Sequence, residues 1–194
     1  MIKIDNFISK ELQDSIEAVV TSRMFHWYYD TGTIDISSLD ATTEKLVLQQ
    51  GSNPFQFIHV AVRDSRQNTE FFQLIESVVE QLATTLKSNI EIKRAKFNLL
   101  TESQDQTHHY PHVDLDSVED KDIKTAIYYV NDSNGDTYIF NETAPLVNPI
   151  VTINERITPK KGSAIIFDSN IFHCSSSPTT GKRIVLNIVF KIVK

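Results

Sequence analysis

Ile123-Lys124-Thr125-Ala126-Ile127-Tyr128-Tyr129-Val130-Asn131, followed by Asn134-Gly135 and then Thr137-Tyr138-Ile139-Phe140, is the part of the chain from which its architecture is most readily inferred. β-Branched and aromatic residues fill both runs, and Asn-Gly between them tolerates the left-handed backbone of a tight turn. Two strands joined by a turn are expected. The same texture continues downstream, with strands expected over 148–157, 163–167 and 183–193. Pro159 and Gly162 mark a turn before the penultimate strand, and Pro178 and Gly181 one before the last. Immediately upstream, strands are expected over 91–100 and 109–115.

Further upstream the period changes. Ser9 is a helix N-cap, with Leu12, Ile16, Val19 and Val20 on one face of a helix reaching about residue 23. A second helix starts at Asn68 or Thr69 and runs to about Lys87, with Phe71, Leu74, Ile75, Val78, Leu82 and Leu86 at helical spacing. Residues 2–8 read as a short strand or extended lead-in, and 55–62 as a strand. The aromatic run Phe25-His26-Trp27-Tyr28-Tyr29 is expected in the core. Residues 30–53 are polar and read as an irregular excursion with short strands. Two helices followed by at least seven short strands predict a mainly β fold with flanking N-terminal helices, a β-sandwich or jelly roll. Residues 1–194 are expected to form one domain, a helical buttress over about 9–89 against a β-core over about 90–193.

The net charge of −6 supplies no general basic field, so nucleic acid is not an expected partner. No run is apolar over a membrane-spanning length, and Met1-Ile2-Lys3-Ile4-Asp5 lacks the core of a signal peptide, so no membrane association and a cytoplasmic location are expected. The one cysteine, Cys174, excludes an internal disulfide and a thiolate metal cluster.

Chemistry is concentrated in His112-Val113-Asp114. Side chains two residues apart on a strand share a face, so an imidazole and a carboxylate there can hold one side of a divalent metal. His173, about sixty residues on, is placed just past a strand end. Two histidines and one carboxylate form the donor set of non-haem Fe(II) centres with open positions. Arg183 opens the apolar run Arg183-Ile184-Val185-Leu186-Asn187-Ile188-Val189-Phe190 and shares a face with Val185, Asn187 and Val189. An arginine pointing into a sandwich is costly unless it meets an anion, and its fork suits a carboxylate.

This order resembles the Fe(II)/2-oxoglutarate-dependent dioxygenase superfamily, in particular its prolyl-4-hydroxylase-like branch. The resemblance covers most of residues 90–193 and rests on His112-Val113-Asp114, His173 and Arg183. It extends to Ile127-Tyr128-Tyr129-Val130-Asn131, Gly135-Asp136-Thr137 and Pro159-Lys160-Lys161-Gly162. It implies a double-stranded β-helix, with Fe(II) on His112, Asp114 and His173, and 2-oxoglutarate as cosubstrate with dioxygen. Ascorbate is an optional reductant. By the same resemblance Arg183 grips the distal carboxylate of 2-oxoglutarate and Tyr128 donates its hydroxyl to it. Asn98, Asn187 and Tyr110 are candidates for the cavity wall. Asp114 stands where halogenating relatives have a small residue, which disfavours halogenation. Val189 stands where the nucleic-acid-demethylating branch has a second arginine. Glu102 stands where prolyl-hydroxylase relatives often carry a tyrosine.

The activity implied is hydroxylation of a C–H bond, of a peptidyl proline or another protein side chain. The alternatives are hydroxylation of a free amino acid or small metabolite, or a cupin-like module that binds a metal or sugar without oxygenase activity. A cupin has no use for Arg183. The remaining sites have ordinary readings: His109 as loop or rim, with His108 beside it, His26 and His59 as surface or core histidines, and Cys174 as a small buried residue.

Overall fold

In the computed structural model, which describes residues 1–105, 107–114 and 122–193, the last strand is the axis of the molecule. The strands are β1 (Ile2–Ile4), β2 (Tyr28–Asp30), β3 (Gln56–Arg63), β4 (Arg66–Gln67), β5 (Asn89–Thr101), β6 (Ile123–Tyr129), β7 (Thr137–Thr143), β8 (Ile153–Ile157), β9 (Ala164–Asp168), β10 (Ile171–Ser175) and β11 (Lys182–Val193). The helices are α1 (Lys10–Val20), α2 (Ala41–Gln49) and α3 (Gln73–Leu86). β11 is buried continuously from Arg183 to Phe190, as a central strand covered on both faces must be. It pairs antiparallel with β5 on one side and β6 on the other. The large sheet runs β1-β9-β6-β11-β5-β3-β2, with β4 beside β3, and a second sheet runs β10-β7-β8.

Alternation along β11 divides the core. Ile184, Leu186, Ile188 and Phe190 face α1 and α3, packing with Ile16, Val20, Ile75, Val78 and Leu82. Val185 faces the small sheet, in a cluster with Ile127, Tyr129, Ile139, Ile165 and Phe167. Each of these side chains contributes about 1.5–3 kcal/mol by leaving water, so a one-residue slip of β11 would put Arg183 among the helices. The result is a helix-backed jelly roll.

Several elements differ from expectation. α1 stops at Val20, where the Thr21 hydroxyl donates to the Glu17 carbonyl (2.7 Å). The second predicted helix begins as a 3₁₀ turn over Glu70–Phe72 capped by Thr69, and ends on Lys87 in the left-handed conformation. The excursion over 30–53 holds α2, capped by the Asp40 carboxylate on Thr42 N (2.8 Å) and Thr43 N (3.1 Å). α2 buries Leu46 against Tyr138, Phe140 and Phe172. Within 109–114 there is no strand, only single bridges from His109 to Ser52 and from His112 to His173. Leu115 and the loop expected over 116–121 lie outside the described residues. Among the described residues no helix is long and apolar enough to cross a membrane.

Candidate active site

Two elements deliver the metal-type donors. β10 carries His173. The irregular segment 109–114 lies beside it, with His112 N donating to His173 O (3.0 Å) and His173 N to His112 O (2.9 Å). This reciprocal pair holds the two rings 4.6 Å apart at their centroids. Asp114 N donates to Ser169 O (3.1 Å), which fixes the next turn of the segment. From the other side Ser52, just beyond α2, bonds Tyr110 N (2.8 Å). Gly51 makes that approach feasible: at φ +98°, a Cβ would stand 2.7 Å from His109 O.

His112, Asp114 and His173 each offer one ligand atom, and these lie within 4.8 Å of one another. His112 Nδ1 is satisfied by Tyr110 O (3.1 Å) and His173 Nδ1 by Ile171 O (3.0 Å). Both Nδ1 atoms therefore carry the proton, and both Nε2 lone pairs point inward. His173 Nε2 is buried without a hydrogen bond, 3.4 Å from Asp114 Oδ2. Burial, with His173 close by, pushes His112 down to about 3, so its ring is neutral. Burial would raise the Asp114 carboxyl, but the Arg94 guanidinium, with the histidines adding, holds it well below the usual carboxylate range. Asp114 is gripped by Arg94, by Thr125 Oγ1 (2.8 Å) and by Asn187 Nδ2 (3.2 Å). Two imidazoles with their Nε2 atoms turned inward and an oriented carboxylate suit Fe(II).

Arg183 lies in the same cavity, buried at 3 % exposure. Its Nε donates to Gly135 O (2.9 Å) and its Nη2 to Thr137 Oγ1 (2.8 Å). Among the described residues it pairs with no carboxylate. Tyr129 also donates to Thr137 Oγ1 (2.9 Å). Having accepted twice, the threonine oxygen has its own proton to donate. Guanidinium and hydroxyl together form a receptor for one carboxylate.

Tyr128 is not part of it. The registers Tyr129↔Val185 and Ile127↔Asn187 put Thr125, Ile127 and Tyr129 on the Arg183 face of β6. Tyr128 points the other way, into the helix-side core, where its hydroxyl is buried without a partner among the described residues. Burial, with Glu17 and Asp14 behind it, raises that phenol above its ordinary value. The tyrosine beside Arg183 is Tyr129.

Asn98 and Asn187 line the cavity as expected, whereas Tyr110 contributes a carbonyl and not its ring. His109 is no rim residue: it is buried, with its ring nitrogens on Ser175 Oγ (3.0 Å) and Ser177 Oγ (3.2 Å). Glu102 is exposed and accepts from Gly181 N (3.1 Å), so β5 lines the cavity with Lys96, Asn98 and Leu100 instead. His59 is a core histidine held by His26 O (2.7 Å) and Thr69 Oγ1 (2.8 Å). Cys174 is a buried thiol, pushed up by burial. Arg94 and Lys96 escaped the sequence reading. The signal was there, because they share the period-two row of β5 with Asn98.

Outside the donors, Asp30, Thr31, Thr33, Ser37, Asn53, Arg94 and Lys96 enclose an outer cavity of about 760 Å³. That lies within the ~300–1,000 Å³ typical of small-molecule sites. Asn53 holds its roof, with Oδ1 accepting from Thr33 N (2.7 Å), Thr33 Oγ1 (3.0 Å) and Ile34 N (3.2 Å).

The family model of the 2OG-Fe(II) oxygenase superfamily matches residues 96–191. No curated protein sequence matches the chain. Among solved structures, a Pseudomonas putida prolyl-4-hydroxylase is similar at TM-score 0.60 and 14% identity, over 99% of this chain and 92% of that one. A prolyl hydroxylase from Trichoplax adhaerens, solved with a peptide fragment of hypoxia inducible factor, is similar at TM-score 0.57 and 11% identity, over 98% and 83%. An alpha-ketoglutarate-dependent epimerase of nogalamycin biosynthesis is similar at TM-score 0.62 and 9% identity, over 98% and 77%. At such identities the likeness is one of fold.

Proposed function

We propose that this chain of the 2OG-Fe(II) oxygenase superfamily, a 2-oxoglutarate-dependent dioxygenase, hydroxylates a C–H bond of an amino-acid side chain, proline or another. His112, Asp114 and His173 would hold the Fe(II), and Arg183 with Thr137 and Tyr129 would receive the far carboxylate of 2-oxoglutarate. Bound there, Fe(II) and 2-oxoglutarate would supply the oxidising chemistry, with 2-oxoglutarate and dioxygen consumed to succinate, carbon dioxide and the hydroxylated substrate. The chain supplies orientation and shielding from water. Arg94, Thr125 and Asn187 fix the carboxylate plane of Asp114. The carbonyls of Tyr110 and Ile171 keep both imidazoles in the ligating tautomer.

The observation carrying this reading is a two-histidine, one-carboxylate cluster sharing a cavity with a buried arginine that has no carboxylate partner among the described residues. A cupin-like binding module leaves that arginine unexplained. The fold neighbours include prolyl hydroxylases and an epimerase, so the amino-acid substrate rests on the resemblance to the first group and on the outer cavity.

Anaerobic addition of Fe(II) and 2-oxoglutarate should produce a visible metal-to-ligand charge-transfer band. Asp114→Ala should abolish it, and Arg183→Ala should weaken cosubstrate binding by about tenfold or more, as expected for losing a charge-assisted contact. No band in the wild type, or an unchanged band in both variants, would refute the proposal.

A further inference from the structure

The row Arg94, Lys96, Asn98, Leu100 on β5 runs alongside the site, and its register orders the charges. Arg183 stands opposite Leu100 at the deep end, whereas Lys96 stands opposite Asn187, four residues along and roughly 13 Å away at ~3.3 Å per residue. Lys96 is thus at the metal end, and it lines both the inner cavity and the outer one. Among the described residues its ammonium makes no hydrogen bond or ion pair. Its neighbour Arg94 is committed to Asp114. Lys96 is half-buried, and an ammonium that opens onto the cavity without a protein partner among the described residues is placed to receive an anion. Burial, with Arg94 repelling, lowers Lys96 to about 8, while Asp114 and Asp30 act in the opposite direction. It is still charged at neutral pH.

Asp30, at the end of β2, is on the wall of the outer cavity and accepts one side-chain bond, from Gln56 Nε2 (3.2 Å). One unpartnered cation and one lightly held carboxylate therefore flank the approach to the metal ligands. A residue inside a peptide offers neutral amides to such a pair. A free α-amino acid offers opposite charges.

We propose that Lys96 is the receptor for the substrate carboxylate and Asp30 faces the substrate ammonium, so that the prime substrate is a free α-amino acid and not a peptidyl residue. This rests on the dioxygenase reading above. It makes Lys96 the residue that sets specificity, separate from Arg183, which serves the cosubstrate.

The test measures succinate formation from 2-oxoglutarate by the Fe(II)-loaded enzyme with each of the twenty free L-amino acids, their carboxamides, and N-acetylated proline peptides with amidated ends. At least one free amino acid should stimulate turnover, and its carboxamide should do so at least tenfold less well in kcat/KM, a typical loss for one buried charge pair. Lys96→Met should erase that discrimination between acid and amide, and Asp30→Asn should weaken the preference for a free over an acetylated amine. Because each variant is compared with itself on paired probes, a general loss of activity does not mimic the result. The inference is overturned if blocked proline peptides stimulate as well as any free amino acid, or if no amino acid stimulates while the charge-transfer band is intact. It is also overturned if Lys96→Met abolishes that band, which would assign Lys96 to the cosubstrate. Absence of the band in the wild type sinks the dioxygenase reading itself, so the two failures are distinguishable.

Discussion

Two adjacent tyrosines on β6 provide a sharp test of the site, because the structure assigns them opposite fates. Tyr128 buries a hydroxyl in the helix-side core with no partner among the described residues, and Tyr129 spends its hydroxyl on Thr137 beside Arg183. An unsatisfied buried polar group costs about 1–3 kcal/mol, whereas a made hydrogen bond contributes about 0.5–1.5 kcal/mol net. Tyr128→Phe should therefore leave cosubstrate affinity unchanged and stabilise the protein by up to ~1 kcal/mol, raising Tm by roughly 2–4 °C for a chain of this size. Tyr129→Phe should lower stability by about 1 kcal/mol. It also frees Thr137 from its bond with Tyr129, disordering the donor set around Arg183. A loss of ~1 kcal/mol in cosubstrate binding is about a fivefold rise in Kd. Anaerobic titration of 2-oxoglutarate against the charge-transfer band gives Kd, and calorimetry gives Tm. If Tyr128→Phe raises Kd and Tyr129→Phe does not, the assignment of faces on β6 is wrong.

Three further outcomes follow from the same geometry. In chelator, stability should fall as the pH drops below about 6.5, because His109 and His112 are held neutral in the fold, both down to about 3. The unfolded chain takes up protons that the folded one refuses, so each histidine adds a slope of about 1.4 kcal/mol per pH unit through that window. Denaturant midpoints that stay flat from pH 6.5 to 5 would contradict this. Fe(II) at a hundredfold excess over its Kd should stabilise the fold by about 2.7 kcal/mol, seen as a rise in Tm that Asp114→Ala removes. Asn53→Ala, which strips the outer-cavity roof of four hydrogen bonds, should lower stability by about 1–3 kcal/mol. It should also speed proteolysis within residues 31–37 relative to wild type; equal rates would show that Asn53 does not hold the roof.

Much of the β-core could be read from the chain because its signals are local. The Asn134-Gly135 turn, the alternation along 183–193 and the Pro-Gly punctuation need no knowledge of distant residues, and β7, β9 and β11 stand close to where they were expected. α2 was missed because Ala41-Thr42-Thr43-Glu44 carries β-branched residues and little apolar stripe; Asp40 was the one cue, as an N-cap. The strand expected over 109–115 failed for the opposite reason. Its composition suits a strand, but a single bridge pair to β10 and a bond to Ser169 hold its ligands without a ladder.

By itself the sequence pointed to the candidate chemistry: His112, Asp114, His173 and Arg183 in order, on a chain whose turns make a jelly roll. Only the tertiary structure decided which side chains surround them. β6 is apolar on both faces, so periodicity cannot tell which of Tyr128 and Tyr129 meets Arg183, and the answer lies in a register with a strand more than fifty residues away. Lys96 and Arg94 look like surface cations on an edge-like strand until β11 pairs beside β5 and turns their row onto the candidate site. Side-chain type is a local property, but the direction in which a buried strand faces is set by its neighbours.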